Sequence, residues 1–249
     1  MERENFILIT GASSGIGREI AIRLSKEHNV IINGRNSEQL SLTKELCSTN
    51  TSQLIWQYDL NNIENVEDAV SSFIKENDIS ISHFVHCAGY MKTYPLKMVN
   101  LSLLSSTFNI NVFSATLIIK TLTNKRLNAN ALKSIVLISS NISNFGAKAF
   151  SVYGASKSAL DGIMRSLAVE LAPNVRINSV LPGSVRTTMT EQIFENEELI
   201  ERMSATYPLG LGDVNDIYEA VAFLLFDHSR WITGQQLFVD GGRTINISG

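Results

Sequence analysis

Thr-Gly-Ala-Ser-Ser-Gly-Ile-Gly, residues 10–17, directly follows the apolar run Phe6–Ile9. A helical pattern starts at the end of this stretch: Ile16, Ile20 and Leu24 recur every four residues, which predicts a helix with one apolar face. Because a short apolar run predicts a buried strand, the glycines lie where a strand turns into a helix. Such a turn lets backbone approach a pyrophosphate, which the helix N-terminus attracts. The stretch therefore predicts a nucleotide-binding turn, although its spacing is GxxxGxG rather than GxGxxG; a glycine loop that binds nothing is the alternative.

The alternation of apolar runs and helical patterns continues to the end of the chain. The further apolar runs are residues 30–32, 54–56, 84–85, 135–138, 175–180 and 237–239, and helical patterns cover residues 66–74 and 101–122. Strands that alternate with helices form right-handed βαβ units, so the pattern predicts an α/β fold with a parallel sheet. No internal repeat, low-complexity tract or linker interrupts the pattern, and residues 1–249 are predicted to form one domain.

The composition argues against several classes of protein. With 44% hydrophobic residues the 249-residue chain can bury one large core, and a net charge of −3 without a basic run argues against a nucleic-acid partner. Cys47 and Cys87 lie far apart, so we expect no metal site, no disulfide framework and a reducing compartment. The first residues lack a signal-peptide layout, and the apolar runs are too short to cross a bilayer. We therefore expect a soluble cytoplasmic protein without a membrane partner.

The end of the second predicted strand indicates which cofactor binds. In nucleotide-binding βαβ folds this point lies beside the adenosine ribose, where an acid accepts hydrogen bonds from the ribose of NAD. The chain has Gly34 and Arg35 there, and a guanidinium can clamp a 2′-phosphate. We therefore predict NADP(H), with NAD(H) as the alternative if Arg35 is an ordinary surface residue. Asp59, after the third strand, is placed to meet the adenine amino group, unless it only caps the following helix.

Tyr153 and Lys157 form the candidate catalytic pair. They are four residues apart, so on a helix they share one face. A neighbouring ammonium, together with the charge of an oxidised nicotinamide, lowers the pKa of a tyrosine and suits it for general acid or base catalysis. The alternative is a solvated helix face, since most pairs with this spacing are no more than that.

Two further polar positions are candidates for the same chemistry. Ser140 follows the fifth predicted strand, at the sheet edge where α/β folds bind ligands, and its hydroxyl can donate to a substrate carbonyl. Ser139 is its rival for this role, and a loop-capping serine is the alternative. Asn111 interrupts an apolar helix, and a buried amide must find hydrogen bonds. It is predicted to hold a water that feeds protons to Lys157, or to close a helix irregularity, or both.

Together these residues resemble the short-chain dehydrogenase/reductase family, in its single-domain branch, over nearly the whole chain. The matching positions are Thr10–Gly17, Asn111, Ser140, Tyr153, Lys157, Pro182-Gly183, Ile232–Gln235 and Val239–Gly242. The resemblance implies a three-layer Rossmann-like fold with a seven-stranded parallel sheet and helices on both faces. It also implies transfer of the pro-S hydride of a nicotinamide to a ketone carbon. In that reaction Tyr153 protonates the oxygen and Ser140 polarises it, while Lys157 orients the ribose and Asn111 completes a water relay.

The resemblance also implies a set of cofactor-binding residues. They are Gly11, Ser13, Ser14, Gly15, Ile16, Gly17, Arg35, Asp59, Leu60, Ala88, Gly89, Tyr153, Lys157, Pro182, Gly183, Val185 and Thr187, the last beside the carboxamide. One motif departs from the family pattern, because the usual Asn-Asn-Ala-Gly after the fourth strand reads His86-Cys87-Ala88-Gly89. We expect His86 and Cys87 to pack within the strand rather than to bind a ligand.

The chain looks most similar to 3-oxoacyl-(acyl carrier protein) reductases of this family, so the substrate is expected to be a small carbonyl compound or a carrier-bound acyl thioester. In those reductases arginines dock the acidic carrier, but the matching positions here are Ala131 and Asn174. Lys125, Arg126 and Lys133 are near in sequence, and docking of a carrier is a hypothesis.

The substrate pocket is expected to lie after the Pro-Gly turn. Residues 188–209 fall where the family has its substrate lid, with an apolar set of Met189, Ile193, Phe194, Leu199 and Met203. A plain amphipathic surface helix is the alternative. Ser140 is expected to touch the substrate, and Tyr90, Met91, Phe145 and Phe150 are expected to line an apolar pocket unless they belong to the core.

Three functional hypotheses follow, together with an assembly. The leading one is an NADP(H)-dependent reductase that converts a ketone to a secondary alcohol. An NAD-dependent alcohol or sugar dehydrogenase of the same family is the first alternative, and a catalytically silent nucleotide-binding scaffold or sensor is the second. The helix at residues 153–171 carries small residues along one side, and with the helix at 101–122 it resembles the family's dimer-forming four-helix bundle, which implies a homotetramer.

Overall fold

A continuous seven-stranded parallel sheet forms the centre of the computed structural model, which describes residues 3–187, 190–191, 195 and 197–246. The strands are β1 Glu4–Thr10, β2 Val30–Gly34, β3 Gln53–Gln57, β4 Ile79–His86, β5 Ser134–Ile138, β6 Arg176–Pro182 and β7 Gln236–Val239. Their order is β3-β2-β1-β4-β5-β6-β7, and every neighbouring pair is parallel. Each apolar run singled out in the sequence lies in, or overlaps, one of these strands, so the predicted sheet is confirmed.

Helices cover both faces of the sheet. They are α1 Gly15–Leu24, α2 Ser37–Leu46, α3 Val66–Glu76, α4 Leu101–Phe108, α5 Ser114–Leu122, α6 Lys125–Asn128, α7 Ser151–Glu170, α8 Glu197–Ser204 and α9 Val214–Leu225. One apolar cluster joins the sheet to α3, α5 and α7, and a second joins it to α1, α2 and α9. The fold therefore has three layers with a core on each side of the sheet, as the sequence predicts.

Alternating side chains of β1 show how the sheet serves both cores. Phe6 and Leu8 belong to the cluster under α3, α5 and α7, whereas Ile7 and Ile9 belong to the cluster under α1 and α9. All four side chains are buried. A strand that is buried on both faces needs apolar residues at every position, which is why these runs are continuously apolar rather than alternating.

The helix predicted over residues 101–122 is not regular. The α4 and α5 segments are joined by a π-helical turn, Asn109–Phe113, with Asn111 at its centre. The Asn111 side chain bonds both backbone groups of Tyr90, at 2.7 Å to the N–H and 3.2 Å to the carbonyl. The sequence-based alternative of an amide at a helix irregularity is therefore observed. Single π turns are frequent at functional sites.

The same stretch corrects the expectation that no segment is long enough to cross a bilayer. By length and composition alone Leu101–Leu122 meets the criterion, with a mean hydropathy of 1.4 over 18 residues. In the fold, however, Ala115, Ile118, Ile119 and Leu122 pack into the core under the sheet. The stretch packs on the core of an α/β fold. Such a core helix can be as apolar as a membrane-spanning helix, because its covered side is buried in the protein.

Strand order places a cleft at the carboxyl edge of the sheet. The chain runs outward through β1, β2 and β3 and then returns to β4 on the other side of β1. Loops after β1 and β4 therefore diverge to opposite faces of the sheet and leave a crevice between them, which is where open α/β sheets bind ligands.

Candidate active site

A cavity of about 900 Å³ lies at this edge of the sheet. The predicted cofactor residues all line it: Gly11, Ser13, Ser14, Gly15, Ile16, Gly17, Arg35, Asp59, Leu60, Ala88, Gly89, Tyr153, Lys157, Pro182, Gly183, Val185 and Thr187. They come from the carboxyl ends of five strands and from α7, so the fold brings together residues that are spread over most of the chain. The cavity is long enough to connect the glycine turn at one side with the Tyr153 helix at the other.

The glycine turn is shaped to admit a ligand against bare backbone. Gly11 has a φ of +67°, and a Cβ at this position would lie 2.7 Å from the backbone of Ala88. The Ala12 N–H donates to the Asn33 carbonyl at 2.9 Å, which ties the turn to β2. This turn lies at the N-terminus of α1 and has no room for a side chain at Gly11. Its exposed backbone suits the binding of a dinucleotide pyrophosphate. The residues present therefore fit an NAD(P)(H) cofactor.

The β2 end of the cavity has the chemistry expected beside an adenosine ribose. A Cβ on Gly34 would lie 3.3 Å from the Ser13 hydroxyl, so an acidic side chain here would crowd the glycine turn. Arg35 is exposed and lines the cavity. Asp59 also lines it, but its carboxylate accepts the Asn61 N–H at 2.9 Å. The helix-cap alternative for Asp59 is wrong, because Asn62 and Asn65 are the N-cap residues of the two helical segments that follow.

Thr10 stabilises the turn that departs from the family pattern. Its hydroxyl oxygen accepts the backbone N–H groups of Cys87 and Ala88 at 3.2 and 3.3 Å, and it lies 3.0 Å from His86 Nδ1. Burial lowers the pKa of His86 to about 3, so its ring is neutral. The prediction that His86 packs in the strand is confirmed, since it is fully buried. Cys87 lies one residue beyond the strand, packs against the apolar cluster under α1, α2 and α9, and also lines the cavity.

Tyr153 and Lys157 lie on one buried face of α7, as their spacing predicts. The Lys157 ammonium is 5.8 Å from the centre of the Tyr153 ring and donates to the Ile138 carbonyl at 2.7 Å. That carbonyl ends β5, so the strand sets the position of the amine. Both side chains are more than nine-tenths buried, so the alternative of a solvated helix face is wrong for this pair.

Burial is the main influence on the pKa values of Tyr153 and Lys157 in the free chain. Burial raises the pKa of Tyr153 to about 12, although the Ser140 hydroxyl beside it acts in the opposite direction. Burial lowers the pKa of Lys157 to about 8, with Cys87 and Asp161 opposing the shift. In the free chain, loss of hydration therefore dominates the pKa of the phenol, and the lowering by the ammonium together with the charge of an oxidised nicotinamide stays a prediction. At neutral pH the phenol is protonated and the amine carries its charge.

Ser140, rather than Ser139, has the hydroxyl that lies beside Tyr153. The Ser139 hydroxyl donates to the Asp161 carboxylate at 2.9 Å and lies 3.5 Å from the Lys157 carbonyl, so it is engaged with protein groups. Ser140 accepts the Ile142 N–H at 3.3 Å, and its hydroxyl forms a hydrogen bond with that of Tyr153. The loop-capping alternative is therefore also observed, since the same oxygen starts the short helical turn Asn141–Ser143.

The Asn111 side chain forms its hydrogen bonds with Ser156 and Tyr90. Its amide donates to the Ser156 hydroxyl at 2.9 Å, and its other two bonds go to the backbone of Tyr90. It is fully buried between α7 and the loop after β4. The side chain therefore joins the catalytic helix to the cofactor loop, and a water relay through it stays a prediction.

Asp161 is a buried group near the pair that the sequence analysis did not select. It lies one helical turn beyond Lys157, and one carboxylate oxygen accepts both the Ser139 hydroxyl and the Gln236 amide, the latter at 2.7 Å. Its charge raises the pKa of Lys157. The spacing of four residues was the available signal, since it continues the face that carries Tyr153 and Lys157.

The substrate end of the cavity is partly as predicted. Tyr90, Met91, Phe145 and Phe150 line it, with Phe145 half exposed. Met189, Ile193 and Phe194 lie outside the described residues, as does the side chain of Leu199. In the described part of the predicted lid, Thr190 and Tyr207 line the cavity and Met203 does not.

Several lining residues were missed from the sequence. They are Asn33, Tyr58, Cys87, Ile110, Ile138, Asn141, Ile142, Gly146, Ala147, Ser184, Thr190, Tyr207, Arg243, Thr244 and Asn246. Most flank a residue that was predicted. The last three follow β7, and the rule that ligands bind beyond the carboxyl ends of strands was the signal for them.

The basic residues considered for a carrier protein lie elsewhere. Lys125 and Arg126 begin α6, and Lys133 precedes β5, so these side chains lie towards the amino ends of the strands. Ala131 and Asn174 are at the same edge, before β5 and β6. The cavity opens at the opposite edge. Among the described residues no cluster of histidine, cysteine, aspartate or glutamate could hold a metal ion.

Comparison with known proteins agrees with this geometry. Residues 11–244 match the family model described as "Enoyl-(Acyl carrier protein) reductase". A 3-oxoacyl-[acyl-carrier-protein] reductase from Rickettsia bellii is 35% identical over 94% of this chain and 95% of its own length. The chain belongs to the short-chain dehydrogenase/reductase family. Members of this family use NAD(P)(H) and act on CH–OH and C=O groups of small molecules, so the chain is an oxidoreductase of that kind.

Two solved short-chain dehydrogenase/reductase structures match the whole fold. A 4-hydroxyisoleucine dehydrogenase complexed with NADH has a TM-score of 0.90 at 26% identity and covers 97% of this chain and 99% of its own. An actinorhodin polyketide ketoreductase variant with NADPH has a TM-score of 0.88 at 27% identity, over 98% and 99%. These relatives differ in both substrate and nucleotide, so likeness alone assigns neither to this chain.

Proposed function

We propose that this short-chain dehydrogenase/reductase uses NADPH to reduce the ketone of a small molecule to a secondary alcohol. The observation that carries the proposal is one continuous cavity with two chemically distinct ends. Tyr153, Lys157 and Ser140 lie at one end, and Gly34 and Arg35 lie at the other. The first end has the groups that a carbonyl reduction needs, and the second suits a ribose that carries a 2′-phosphate.

The side chains at the catalytic end supply a proton and an orientation. Bound NADPH supplies the hydride that reaches the carbonyl carbon. The Tyr153 hydroxyl gives its proton to the carbonyl oxygen, so the product is the alcohol and the tyrosine is left as phenolate. Ser140 donates a hydrogen bond to the same oxygen. The charged Lys157 beside the ring stabilises the phenolate, and that stabilisation exists only once the proton has moved.

The choice of NADPH rests on Arg35. We expect Arg35→Gln to raise the KM for NADPH by roughly 10- to 100-fold, because one charge-assisted contact to a phosphate contributes about 1.5–3 kcal/mol. The KM for NADH is expected to stay the same, since NADH lacks the 2′-phosphate. Steady-state kinetics with both nucleotides measure this. Arg230→Gln removes an exposed arginine outside the cavity and is the matched control.

Two results would contradict that assignment. An unmodified protein that prefers NADH would favour the NAD-dependent alcohol or sugar dehydrogenase. An Arg35→Gln variant with the same KM for both nucleotides as the unmodified protein would make Arg35 an ordinary surface residue.

A substrate panel tests the reaction itself. Acyl thioesters, keto-sugars and cyclic ketones are each mixed with NADPH, and the loss of absorbance of the reduced nicotinamide is followed. Oxidation of NADPH by at least one class supports the proposal. Tight NADPH binding without reduction of any of them would favour a nucleotide-binding scaffold or sensor. Reduction of a carrier-bound thioester but not of free ketones would support docking of a carrier protein. Within one protomer, Lys125, Arg126 and Lys133 lie at the edge of the sheet opposite to the cavity and therefore give docking no support.

We further propose a homotetramer that works in a reducing compartment such as the cytoplasm. Leu101 and Phe113 are exposed on the α4–α5 side, at 78% and 47%. Trp231 and Phe238 are exposed near β7, at 91% and 38%, and β7 is an edge strand. Exposed apolar side chains on two separate surfaces suit two kinds of two-fold contact, and two such contacts close a tetramer. Light scattering at micromolar concentration should give four times the 27.5 kDa chain mass, and a monomer would reject the assembly.

A further inference from the structure

Charged side chains in the cavity are mostly cationic. Arg35, Lys157 and Arg243 line it, and Asp59 is the one acidic residue among the described lining. The Asp59 carboxylate already accepts the Asn61 N–H at 2.9 Å. The cavity therefore carries an excess of positive charge inside a chain whose net charge is −3. Such a cavity attracts anionic ligands.

On the proposed function, the phosphate groups of the bound cofactor neutralise only part of this positive charge. The pyrophosphate of NADPH takes the N-terminus of α1, and its 2′-phosphate takes Arg35. Lys157 lies beside Tyr153 at the catalytic end. Arg243 therefore has no anionic group of the cofactor left to bind.

The last two strands hold Arg243 beside the turn after β6, in the same cavity as the catalytic end. Pro182 pairs with Val239 in the sheet, and the Gly183 N–H donates to the Val239 carbonyl at 3.0 Å. A Cβ on Gly183 would lie 2.9 Å from Asp240, so the turns after β6 and β7 are in direct contact. The first of these turns belongs to the cofactor site, and Arg243 follows the second.

The turn that carries Arg243 is rigid and leaves its guanidinium available. The Asp240 carboxylate accepts the N–H groups of Gly242 and Thr244 at 3.1 and 2.9 Å, so this nearest acid is engaged with backbone. Arg243 is half-buried, and it forms no side-chain hydrogen bond or ion pair with any residue in the described ranges. A half-buried guanidinium at a cavity wall is a ready partner for a planar anion, because two of its N–H groups can bond both oxygens of a carboxylate.

Tyr207 separates this cation from the cofactor turn and adds polar groups. Its hydroxyl donates to Ser184 Oγ at 2.9 Å and accepts the Ser184 N–H at 3.0 Å, and both residues line the cavity with Thr244. Tyr90, Met91 and Phe150 also line the cavity and give it a largely apolar surface. A substrate with an apolar body and an anionic end suits this lining.

We propose that Arg243 binds an anionic group of the substrate, so that the preferred substrates are oxo acids rather than neutral ketones. The carboxylate then lies against β7 while the ketone faces Tyr153. Substrate affinity, rather than the proton transfer, depends on Arg243.

Matched substrate pairs test the proposal. Acetoacetate and levulinate are compared with their methyl esters, and dihydroxyacetone phosphate with dihydroxyacetone, to separate a carboxylate from a phosphate. The unmodified enzyme is expected to use an anionic member of these pairs with the lower KM. Arg243→Gln is expected to raise the KM for that anion by roughly 10- to 100-fold, with kcat and the KM of its neutral partner little changed. Arg230→Gln, on the surface, should change neither.

A binding measurement keeps this test independent of turnover. Titration calorimetry of each anion into the NADPH-bound Tyr153→Phe variant should show binding that is lost on adding Arg243→Gln. Equal KM values for the anion and its neutral partner in the unmodified enzyme would overturn the proposal, as would an Arg243→Gln variant that weakens both equally. Anion binding that depends on Arg243, without reduction of any carbonyl compound, would support the anion site and reject the reductase function.

Discussion

Replacing Tyr153 with phenylalanine is expected to lower kcat for carbonyl reduction by about a thousandfold, within the range for loss of a general acid. The phenol is the group that gives the proton, and its pKa of about 12 in the free chain keeps that proton in place before the reaction. The ring is kept in the variant, so its packing with Phe150 is kept too. NADPH affinity, followed by fluorescence, should be nearly unchanged, and kcat is measured by NADPH absorbance.

Tyr94→Phe is the matched control for this variant. Tyr94 lies outside the cavity lining, so removal of its hydroxyl should leave kcat unchanged. A Tyr153→Phe protein that kept the full rate would show that another group gives the proton, and the catalytic role of the Tyr153–Lys157 pair would be wrong. An equal fall in kcat for Tyr94→Phe would mean that the loss of rate is not specific to the Tyr153 hydroxyl.

Replacing Gly17 with alanine is expected to abolish high-affinity NADPH binding and to lower the free energy of unfolding. A Cβ at this position would lie 2.3 Å from the Gly11 carbonyl oxygen and 2.8 Å from its carbon. Neither atom is the end of a flexible side chain, so α1 must move away from the glycine turn. Overpacking of this kind costs about 1–3 kcal/mol, and the same movement misplaces the N–H groups that face the pyrophosphate. Urea denaturation and NADPH fluorescence titration measure the two effects.

Gly162→Ala is the control, because it makes the same chemical change where there is room. Gly162 lies in α7, and its added Cβ would meet only the Arg165 guanidinium at 3.9 Å. This variant should bind NADPH normally and be more stable by about 0.5–1 kcal/mol, since alanine restricts the unfolded chain more than glycine does. A Gly17→Ala protein with unchanged stability and NADPH affinity would mean that α1 and the glycine turn can make room for a Cβ at no cost, and it would contradict this prediction.

Local patterns predicted the strands and the shared helix face of Tyr153 and Lys157 well for identifiable reasons. Apolar runs such as Phe6–Ile9 identify buried strands because both faces of the sheet are covered. The spacing of Tyr153 and Lys157 predicts a shared face because the helix repeat is fixed. The helix at 101–122 was predicted in the right place, with an irregularity at Asn111 as an open alternative. The sequence could not decide it, because Asn111 in the π turn bonds the distant Tyr90.

The substrate end was the least predictable part of the site. Arg243 and Tyr207 reach it from segments far apart in the chain, and only the pairing of β6 with β7 brings them together. Cys87 was expected to pack in a strand, but β4 ends one residue earlier. Each of these outcomes depends on which backbone is nearby in space rather than in sequence.

The order of elements, the glycine turn between β1 and α1 and the shared face of Tyr153 and Lys157 could be derived from the amino-acid sequence alone, because each depends on residues within a turn or two of one another. The protonation of Tyr153 and Lys157, the choice of Ser140 over Ser139 and the position of Arg243 were decided by the tertiary structure. Burial sets the first, a contact with Asp161 sets the second, and the neighbouring strand sets the third. Hydration and long-range contact exist only in the folded chain, so no local pattern encodes them.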